Sequence, residues 1–162
     1  MKKVYFIRHA KSSWETVTDD HDRILSSRGF HDADLVGRYL KGENVNVDAV
    51  YSSSANRAET TARIICENLE IPLSDIKLSR KLYDFDGKDV MHFIKNEIPN
   101  EVNSILIFGH NPCFTSLVNT LGTKIFFNFP TCGVAAIEFD SASWKEIIDG
   151  RTFFSLTPKQ IR

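Results

Sequence analysis

Residues 4–11 read VYFIRHAK, a short apolar run that ends in basic side chains. The run at 4–7 is typical of a short buried strand. Arg8 and His9 follow at its carboxyl end, and in open α/β sheets ligands bind at the carboxyl ends of the strands. A basic residue at this point is also common as a solvated boundary. The stretch therefore indicates a function only if other strand ends agree with it.

Short apolar runs recur along the chain and alternate with longer amphipathic segments. Phe30, Ala33, Val36 and Leu40, for example, have helical spacing. The predicted strands are 4–7, 47–51, 76–78, 104–108, 134–139 and 152–156, and the predicted helices are 28–41, 55–69, 88–96 and 112–121. Alternating strands and helices favour a mostly parallel sheet covered on both faces. We predict an α/β fold, three-layer α/β/α, whose last strand pair forms an antiparallel edge, in one domain over residues 1–162.

The bulk composition excludes several classes of function. The chain has 162 residues, 42% of them hydrophobic, and 20 basic against 21 acidic side chains give a net charge of -1. Such a balance produces no long-range field for nucleic acid or an anionic membrane. No apolar run approaches the roughly 20 residues that span a bilayer, and the opening run is too short for a signal sequence. We therefore expect a cytoplasmic protein that binds neither nucleic acid nor membrane.

The three cysteines carry no pattern of a metal site or a disulfide framework. Cys66, Cys113 and Cys132 are odd in number, widely spaced and without a C-x-x-C pair. We expect reduced thiols that pack as small hydrophobic groups.

Two further strand ends carry charged or polar motifs. After the second strand come residues 52–62, SSSANRAETTA, in which serines suit a helix N-cap and Arg57 falls in the first helical turn, where the helix dipole favours an anion. After the strand at 104–108 come Gly109, His110, Asn111 and Pro112, typical of a sharp turn into a helix. Each motif alone is also consistent with an ordinary exposed helix start or a structural histidine.

Together the three motifs indicate a site for a phosphoryl group. Arg8, His9, Arg57 and His110 come from three strand ends and should meet at one rim of one sheet. Guanidinium groups match phosphate oxygens in pairs, and helix N-termini offer backbone N–H groups to the same anion. The sequence therefore predicts a local electropositive pocket in a nearly neutral chain.

At these residues the sequence strongly resembles the histidine phosphatase superfamily, which includes phosphoglycerate mutase and acid phosphatases. Arg8-His9 resembles its signature dipeptide, Arg57 its second arginine and Gly109-His110 its second histidine. The short length, and the stretches 9–14, 20–29, 129–135 and 156–159, are similar to the SixA-type phosphohistidine phosphatases. The resemblance implies a phosphoglycerate mutase-like fold, catalytic His9, His110, Arg8 and Arg57, a phosphohistidine intermediate, and neither a metal nor an organic cofactor.

The sequence departs from the mutase-like members of that superfamily at two places. They carry Asn six residues after the nucleophile, where this chain has Glu15. They also have a glutamate general acid in an L-x-E segment, where this chain has Leu82, Tyr83 and Asp84. Asp84 is thus the candidate general acid of this segment.

The need of the leaving group for a proton favours one class of substrate. A neutral imidazole is accessible near pH 7, so His9 can attack phosphorus if a backbone carbonyl holds the proton on its other nitrogen. Arg8, Arg57 and His110 would bind the equatorial oxygens. A phosphorylated imidazole leaves without an enzymic acid more easily than a sugar alkoxide does. We therefore expect a phosphatase for phosphohistidine of a protein; the alternatives are small phosphate esters, or a non-catalytic module that binds phosphoproteins.

The remaining polar and aromatic residues are assigned by default to structure. His21, His31 and His92 lack ligand spacing and are interpreted as surface or boundary residues. The acidic residues Asp19, Asp20 and Asp22 fail the EF-hand pattern and are interpreted as a solvated loop beside the pocket. Lys11 and Arg23 either extend the pocket's charge or face solvent. The aromatic residues Phe126, Phe127 and Phe129 are expected to pack in the core, with an exposed docking patch as the minority reading.

Overall fold

The computed structural model describes residues 1–162, which form six strands, five α-helices and four short 3-10 helices. The strands are β1 (Lys2–Arg8), β2 (Ala49–Ser53), β3 (Ile76–Ser79), β4 (Ser104–Gly109), β5 (Val134–Phe139) and β6 (Arg151–Leu156). The α-helices are α1 (Ser27–Gly42), α2 (Asn56–Asn68), α3 (Lys88–Glu97), α4 (Cys113–Leu121) and α5 (Pro158–Ile161). The 3-10 helices are Asp20–Asp22, Leu73–Asp75, Arg80–Leu82 and Trp144–Glu146.

All six strands belong to one sheet in the order β3-β2-β4-β1-β5-β6. The pairs β1–β4, β2–β4 and β2–β3 are parallel, whereas β5 runs antiparallel to β1 and β6 antiparallel to β5. The predicted α/β class with a mostly parallel sheet and an antiparallel edge is confirmed. The carboxyl ends of β1, β2 and β4 consequently lie side by side.

The sheet is buried on both faces. Along β1, Val4 and Phe6 pack into one core cluster, which includes side chains of α3 and α4. Tyr5 and Ile7 pack into the other cluster, which includes side chains of α1 and α2. Because successive strand residues point to opposite faces, a central strand with a helical layer on each side must be apolar throughout. This explains the continuous run that opens the chain.

The structure differs from the prediction at several element ends, most of all at β2 and α2, and it adds one helix. Strand β2 covers 49–53 instead of 47–51, because its parallel pairing with β3 continues through polar residues to Ser53. Helix α2 begins at Asn56 with Ala55 at the N-cap position, so no serine side chain caps it. The short helix α5 was not predicted; Thr157 and Gln160 form its capping box.

The structure also addresses the predictions about membrane spans and cysteines. No α-helix is long and apolar enough to cross a membrane. All three cysteines are unpaired and buried, as expected.

Candidate active site

The structure brings the four predicted site residues together. Arg8 at the end of β1 pairs in register with Gly109 at the end of β4, so His9 and His110 are neighbours. Their ring centroids lie 5.3 Å apart. The Nε atom of Arg57 lies 3.4 Å from Nε2 of His9. All four side chains line one cavity of about 330 Å³.

The other residues of this cavity come from several loops. They are Lys11, Ser12, Trp14, Asp20, Arg23, Phe85, Asn111 and Thr131. A cavity of about 430 Å³ lies at the opposite end of the sheet, near the start of β2 and β3. It is lined by no histidine or arginine. The smaller cavity is therefore the candidate site.

The ring of His9 is held in one orientation and one tautomer. Its Nδ1 lies 2.7 Å from the carbonyl oxygen of Ala10. Because a carbonyl only accepts, Nδ1 carries the proton, as the sequence analysis expected, and Nε2 has a free lone pair. The Nε–H of Arg57 points at that lone pair. The group that faces the cavity from His9 is therefore an unprotonated nitrogen.

A buried threonine fixes the loop that carries His9 against the helix that carries Arg57. The amide of Ala10 donates to Oγ1 of Thr61 at 2.9 Å. The hydroxyl of Thr61 in turn donates to the carbonyl of Arg57 at 2.7 Å. Thr61 lies one turn after Arg57 on α2. Its hydroxyl therefore holds the loop of His9 at a fixed distance from the turn of α2 that carries Arg57.

Burial and neighbouring positive charge keep both histidines neutral. The pKa of His9 is lowered to about 3, mainly by burial and further by the guanidinium groups of Arg57 and Arg8. The pKa of His110 is lowered to about 2, again mainly by burial, with His9 and Arg57 adding to the effect. At neutral pH the unliganded site therefore contains two uncharged imidazoles beside fixed cations.

Two buried polar atoms in this site have no hydrogen-bond partner: Nε of Arg8 and Nδ1 of His110. The rest of each side chain is anchored, since Nη1 of Arg8 donates to the carbonyl of Phe129 at 3.0 Å. Nε2 of His110 lies 2.8 Å from Oγ of Ser53. An unpaired buried polar group costs about 1–3 kcal/mol, which an anion with several acceptor oxygens would remove. The site therefore has the chemistry of an oxyanion receptor.

Asp20 has a larger role than the solvated loop residue that the sequence predicted. Its Oδ2 accepts from Nη2 of Arg57 at 2.9 Å and from the hydroxyl of Tyr83 at 2.5 Å. Its Oδ1 accepts from Nη1 of Arg23 at 2.8 Å. Burial alone would raise the pKa of Asp20, but the hydrogen bonds of Tyr83 and Arg57 and the charge of Arg57 outweigh it and hold this pKa well below its usual range. Asp20 is thus an ionised carboxylate that orients two guanidinium groups.

Arg23 belongs to the cavity and does not simply face solvent. Its side chain is buried, and it donates to Asp20 and to the hydroxyl of Ser12. The exposed ring of Trp14 lies over its guanidinium, 3.3 Å from the ring centroid. Lys11 is exposed at the cavity edge. Both residues extend the positive charge of the site.

Asp84 does not face the cavity. Its Oδ2 accepts from the amide of Val90 at 3.0 Å, and its Oδ1 accepts from the amide of Asp86 at 3.2 Å. The side chain is buried and holds the amino end of α3. The cavity is lined at this point by Phe85 instead. Glu15 is exposed and does not line the cavity either.

The remaining sequence assignments are largely structural. His31 and His92 are exposed, and half-buried His21 bonds to Ser54 through Nε2 at 2.8 Å. The three phenylalanines divide: Phe129 is buried, Phe126 is half-buried against the core, and Phe127 is fully exposed. The prediction of core packing is therefore wrong for Phe127, because this residue lies in the loop after α4 and points outward. No cluster of three or more His, Cys, Asp or Glu side chains has the geometry of a metal site.

Ser53, Asp20 and Tyr83 contact site residues although no sequence pattern marks them as part of the site. Ser53 was interpreted as part of a helix cap, although it is the buried last residue of β2 and bonds to His110. Asp20 and Tyr83 are 63 residues apart and meet only through the fold. One usable signal was that Asp20 and Arg23 are three residues apart, a spacing at which an acid and a base pair within one turn.

Comparison with known proteins identifies the family to which the chain belongs. Residues 4–103 match the family model of the histidine phosphatase superfamily, branch 1. The chain belongs to the histidine phosphatase superfamily. The matched range includes Arg8, His9 and Arg57, whereas His110 follows it and joins them through the pairing of β1 with β4.

Relatives and solved structures of this superfamily match most of the chain. An uncharacterised protein of Mycobacterium tuberculosis is 30% identical over 154 residues, which cover 89% of this chain and 93% of the relative. The phosphohistidine phosphatase SixA of Escherichia coli is 27% identical over 141 residues, covering 86% and 87%. The structure of the protein histidine phosphatase SixA with tungstate superposes with a TM-score of 0.83 at 22% identity and covers 99% of both chains. The chain is accordingly a phosphatase of the histidine type, with the phosphoglycerate mutase-like fold and similarity to SixA.

Proposed function

We propose that this histidine phosphatase hydrolyses the phosphohistidine of a protein through a covalent phosphoryl group on His9. The observation that carries the proposal is the state of His9 Nε2, an unprotonated nitrogen in a cavity lined by Arg8, Arg57 and His110. A nucleophile of this kind needs no base to activate it.

In the first step Nε2 of His9 forms a bond to phosphorus while the bond from phosphorus to the substrate nitrogen breaks. The leaving imidazole takes a proton from solvent and departs neutral. Arg8, Arg57 and His110 bind the three non-bridging oxygens, on which the transition state holds its negative charge. The two unpaired buried atoms, Nε of Arg8 and Nδ1 of His110, become donors to these oxygens.

In the second step water attacks the phosphorus of the phosphorylated His9 while the bond from phosphorus to Nε2 breaks, and one proton of the water leaves with the phosphate or to solvent. Inorganic phosphate is released, and His9 returns to its neutral form. The charge that a metal ion provides in other phosphatases comes here from guanidinium groups, so we propose a reaction without a metal or an organic cofactor.

The nature of the acids near the site favours a nitrogen leaving group. Asp84 uses both carboxylate oxygens at the start of α3, and Asp20 is held ionised by Arg57 and Tyr83. Neither group is placed to protonate a departing alkoxide. A phosphoimidazole does not need such a proton from the enzyme. Exposed rings of Trp14 and Phe85 at the cavity edge suit a flat leaving group on a protein surface.

Small phosphate esters are the second candidate substrates. The observation that favours them is the hydrogen bond that Tyr83 donates to Asp20, a residue that lines the cavity. A substrate dianion that displaced Asp20 from Arg57 would raise the proton affinity of this pair and give the site an acid. A panel of esters against a phosphohistidine peptide separates the two candidates.

The covalent step is tested by trapping. The wild-type protein and the His9→Ala variant are mixed with ³²P-labelled phosphoramidate and quenched within milliseconds in alkali. We expect a label on the wild-type protein alone, stable to alkali and lost in acid, and mapped to His9. An alkali-labile label on serine or threonine, or a label retained by His9→Ala, contradicts the mechanism. Steady release of phosphate abolished by His9→Ala excludes a module that only binds phosphoproteins.

The substrate class is tested with matched peptides. One peptide sequence carrying phosphohistidine, and the same sequence carrying phosphoserine, are compared by kcat/KM together with 3-phosphoglycerate. We expect the phosphohistidine peptide to be preferred by at least about 10²-fold, the effect typical of one missing general acid. A preference for 3-phosphoglycerate would support the second candidate and overturn the first.

A further inference from the structure

The two histidines of the site are held at their inner nitrogens by groups of opposite character. Nδ1 of His9 contacts the carbonyl of Ala10 at 2.7 Å, and a carbonyl oxygen can only accept. Nε2 of His110 contacts the hydroxyl of Ser53 at 2.8 Å, and a hydroxyl can donate. The difference decides what each ring presents to the cavity.

The other hydrogen bond of Ser53 leaves its hydroxyl free to donate only to His110. Oγ of Ser53 accepts from the amide of Ala55 at 3.1 Å. The structure gives this hydroxyl one other hydrogen bond, to Nε2 of His110. Ser53 is completely buried, so water does not compete for its proton. The hydroxyl therefore donates to Nε2, and Nε2 accepts.

A neutral imidazole that accepts at Nε2 carries its proton at Nδ1. Nδ1 of His110 is the buried atom that has no partner in the protein. It is thus an N–H group on a ring that lines the cavity, already aligned by the bond at the other end of the ring.

We propose that Ser53 is a positioning residue that fixes His110 as the Nδ1–H tautomer, so that His110 donates to a phosphoryl oxygen while His9 attacks the phosphorus. The proposal rests on the proposed function, whose chemistry it divides between the two rings. Both rings carry their proton on Nδ1. In His9 that proton is turned inward to Ala10 and the lone pair faces the phosphoryl group, whereas in His110 the lone pair is turned inward to Ser53 and the N–H faces it.

The opposite tautomer of His110 would be harmful for a simple electrostatic reason. It would place a lone pair of Nδ1 against an anionic oxygen and would remove one donor from the transition state. Loss of one preorganised donor of this kind lowers kcat by about 10²–10³-fold. Substrate binding depends on Arg8 and Arg57 as well, so KM should change much less.

The test compares three variants with the wild-type protein. Ser53→Ala removes the hydroxyl, Ser53→Thr keeps it, and Ser52→Ala removes an equally buried hydroxyl that donates to a backbone carbonyl. We expect Ser53→Ala to lose about 10²-fold in kcat on p-nitrophenyl phosphate with KM within a few-fold. Ser53→Thr should recover most of that loss, and Ser52→Ala should stay near the wild-type kcat.

The tautomer itself is measured by ¹⁵N NMR of the imidazole nitrogens. The measurement on the wild-type protein does not depend on the folding of any variant. In the wild-type protein at pH 7 we expect a protonated Nδ1 and an unprotonated Nε2 in both His9 and His110. In Ser53→Ala the proton of His110 should move toward Nε2, while His9 is unchanged. A wild-type His110 protonated at Nε2, or a Ser53→Ala variant with unchanged kcat and tautomer, overturns the proposal. The NMR result is independent of the trapping experiment on His9, so the two proposals fail separately.

Discussion

Replacing Asp84 distinguishes a helix cap from a general acid. Its carboxylate accepts from the amides of Val90 and Asp86 at the start of α3. Loss of a capping acceptor costs about 1 kcal/mol, and loss of a negative charge at a helix N-terminus costs about 0.3–1 kcal/mol. We expect Asp84→Ala to destabilise the protein by about 2 kcal/mol, or about 4–8 °C in Tm for a chain of this size. Asp84→Asn keeps one acceptor oxygen and should lose about half as much.

The assay combines thermal unfolding, followed by circular dichroism, with kcat/KM for two aryl esters. Phenyl phosphate has a poor leaving group and p-nitrophenyl phosphate a good one, so only the former needs a general acid. We expect the ratio of the two kcat/KM values to be the same in wild type, Asp84→Ala and Asp84→Asn. The control is Asp89→Ala, which removes an exposed acidic residue from the first turn of α3. A loss of about 10²-fold or more confined to phenyl phosphate, with Tm unchanged, would show that Asp84 is the acid and refute the cap.

Three further outcomes follow from the geometry. Arg57→Lys loses the paired donors of the guanidinium, and we expect kcat to fall about 10²-fold or more in steady-state assays; a loss below about tenfold would contradict the clamp. Since burial lowers the pKa of His9 to about 3 and that of His110 to about 2, unfolding takes up protons below the unfolded value near 6.5. The contribution of the two histidines to stability is therefore complete above pH 6.5 and decreases as the pH falls toward the folded values. The urea midpoint should be lower at pH 5 than at pH 7, and the difference should be smaller in His9→Gln; equal midpoints would contradict neutral burial. In Gly109→Ala the new Cβ would lie 2.6 Å from Cζ of buried Phe114, and we expect a loss of about 1–3 kcal/mol in urea unfolding; a variant as stable as wild type would mean that Phe114 can move.

The sheet could be predicted because its physical signal is local. Each central strand is a short apolar run, and burial on both faces demands that run whatever the distant sequence is. The error in β2 has the same origin, because Ser52 and Ser53 are strand residues only through their pairing with β3 and β4. No local pattern marks two buried serines as a continuation of a strand. Their polarity favours a turn in isolation, and the fold overrides that preference.

The site could be predicted where it lies at strand ends and not where it is built from loops. Arg8, His9, Arg57 and His110 follow buried strands, and parallel strands bring their carboxyl ends together. Asp20 and Tyr83 lie in irregular segments whose position depends on the whole fold, so neither periodicity nor spacing predicts the bonds of Asp20 to Arg57 and Tyr83. The resemblance to the superfamily likewise included the four residues at strand ends and did not include Asp20 or Tyr83, which lie in loops.

The charges of the site fit the nucleophilic role that we propose for a neutral His9 among arginines. Arg8, Arg57, Arg23 and Lys11 bring four positive charges to the cavity, and Asp20 supplies one carboxylate. Burial lowers the pKa of His9 most, and the charges of Arg57, Arg8 and Arg23 lower it further, so that Nε2 stays unprotonated at the pH at which a phosphoryl substrate is a dianion. The dianion then brings the cavity close to neutrality, which lowers the cost of transferring the phosphoryl group to the ring. In the proposed reaction these cations therefore add to burial in keeping His9 unprotonated before binding, and they stabilise the charge of the transition state after it.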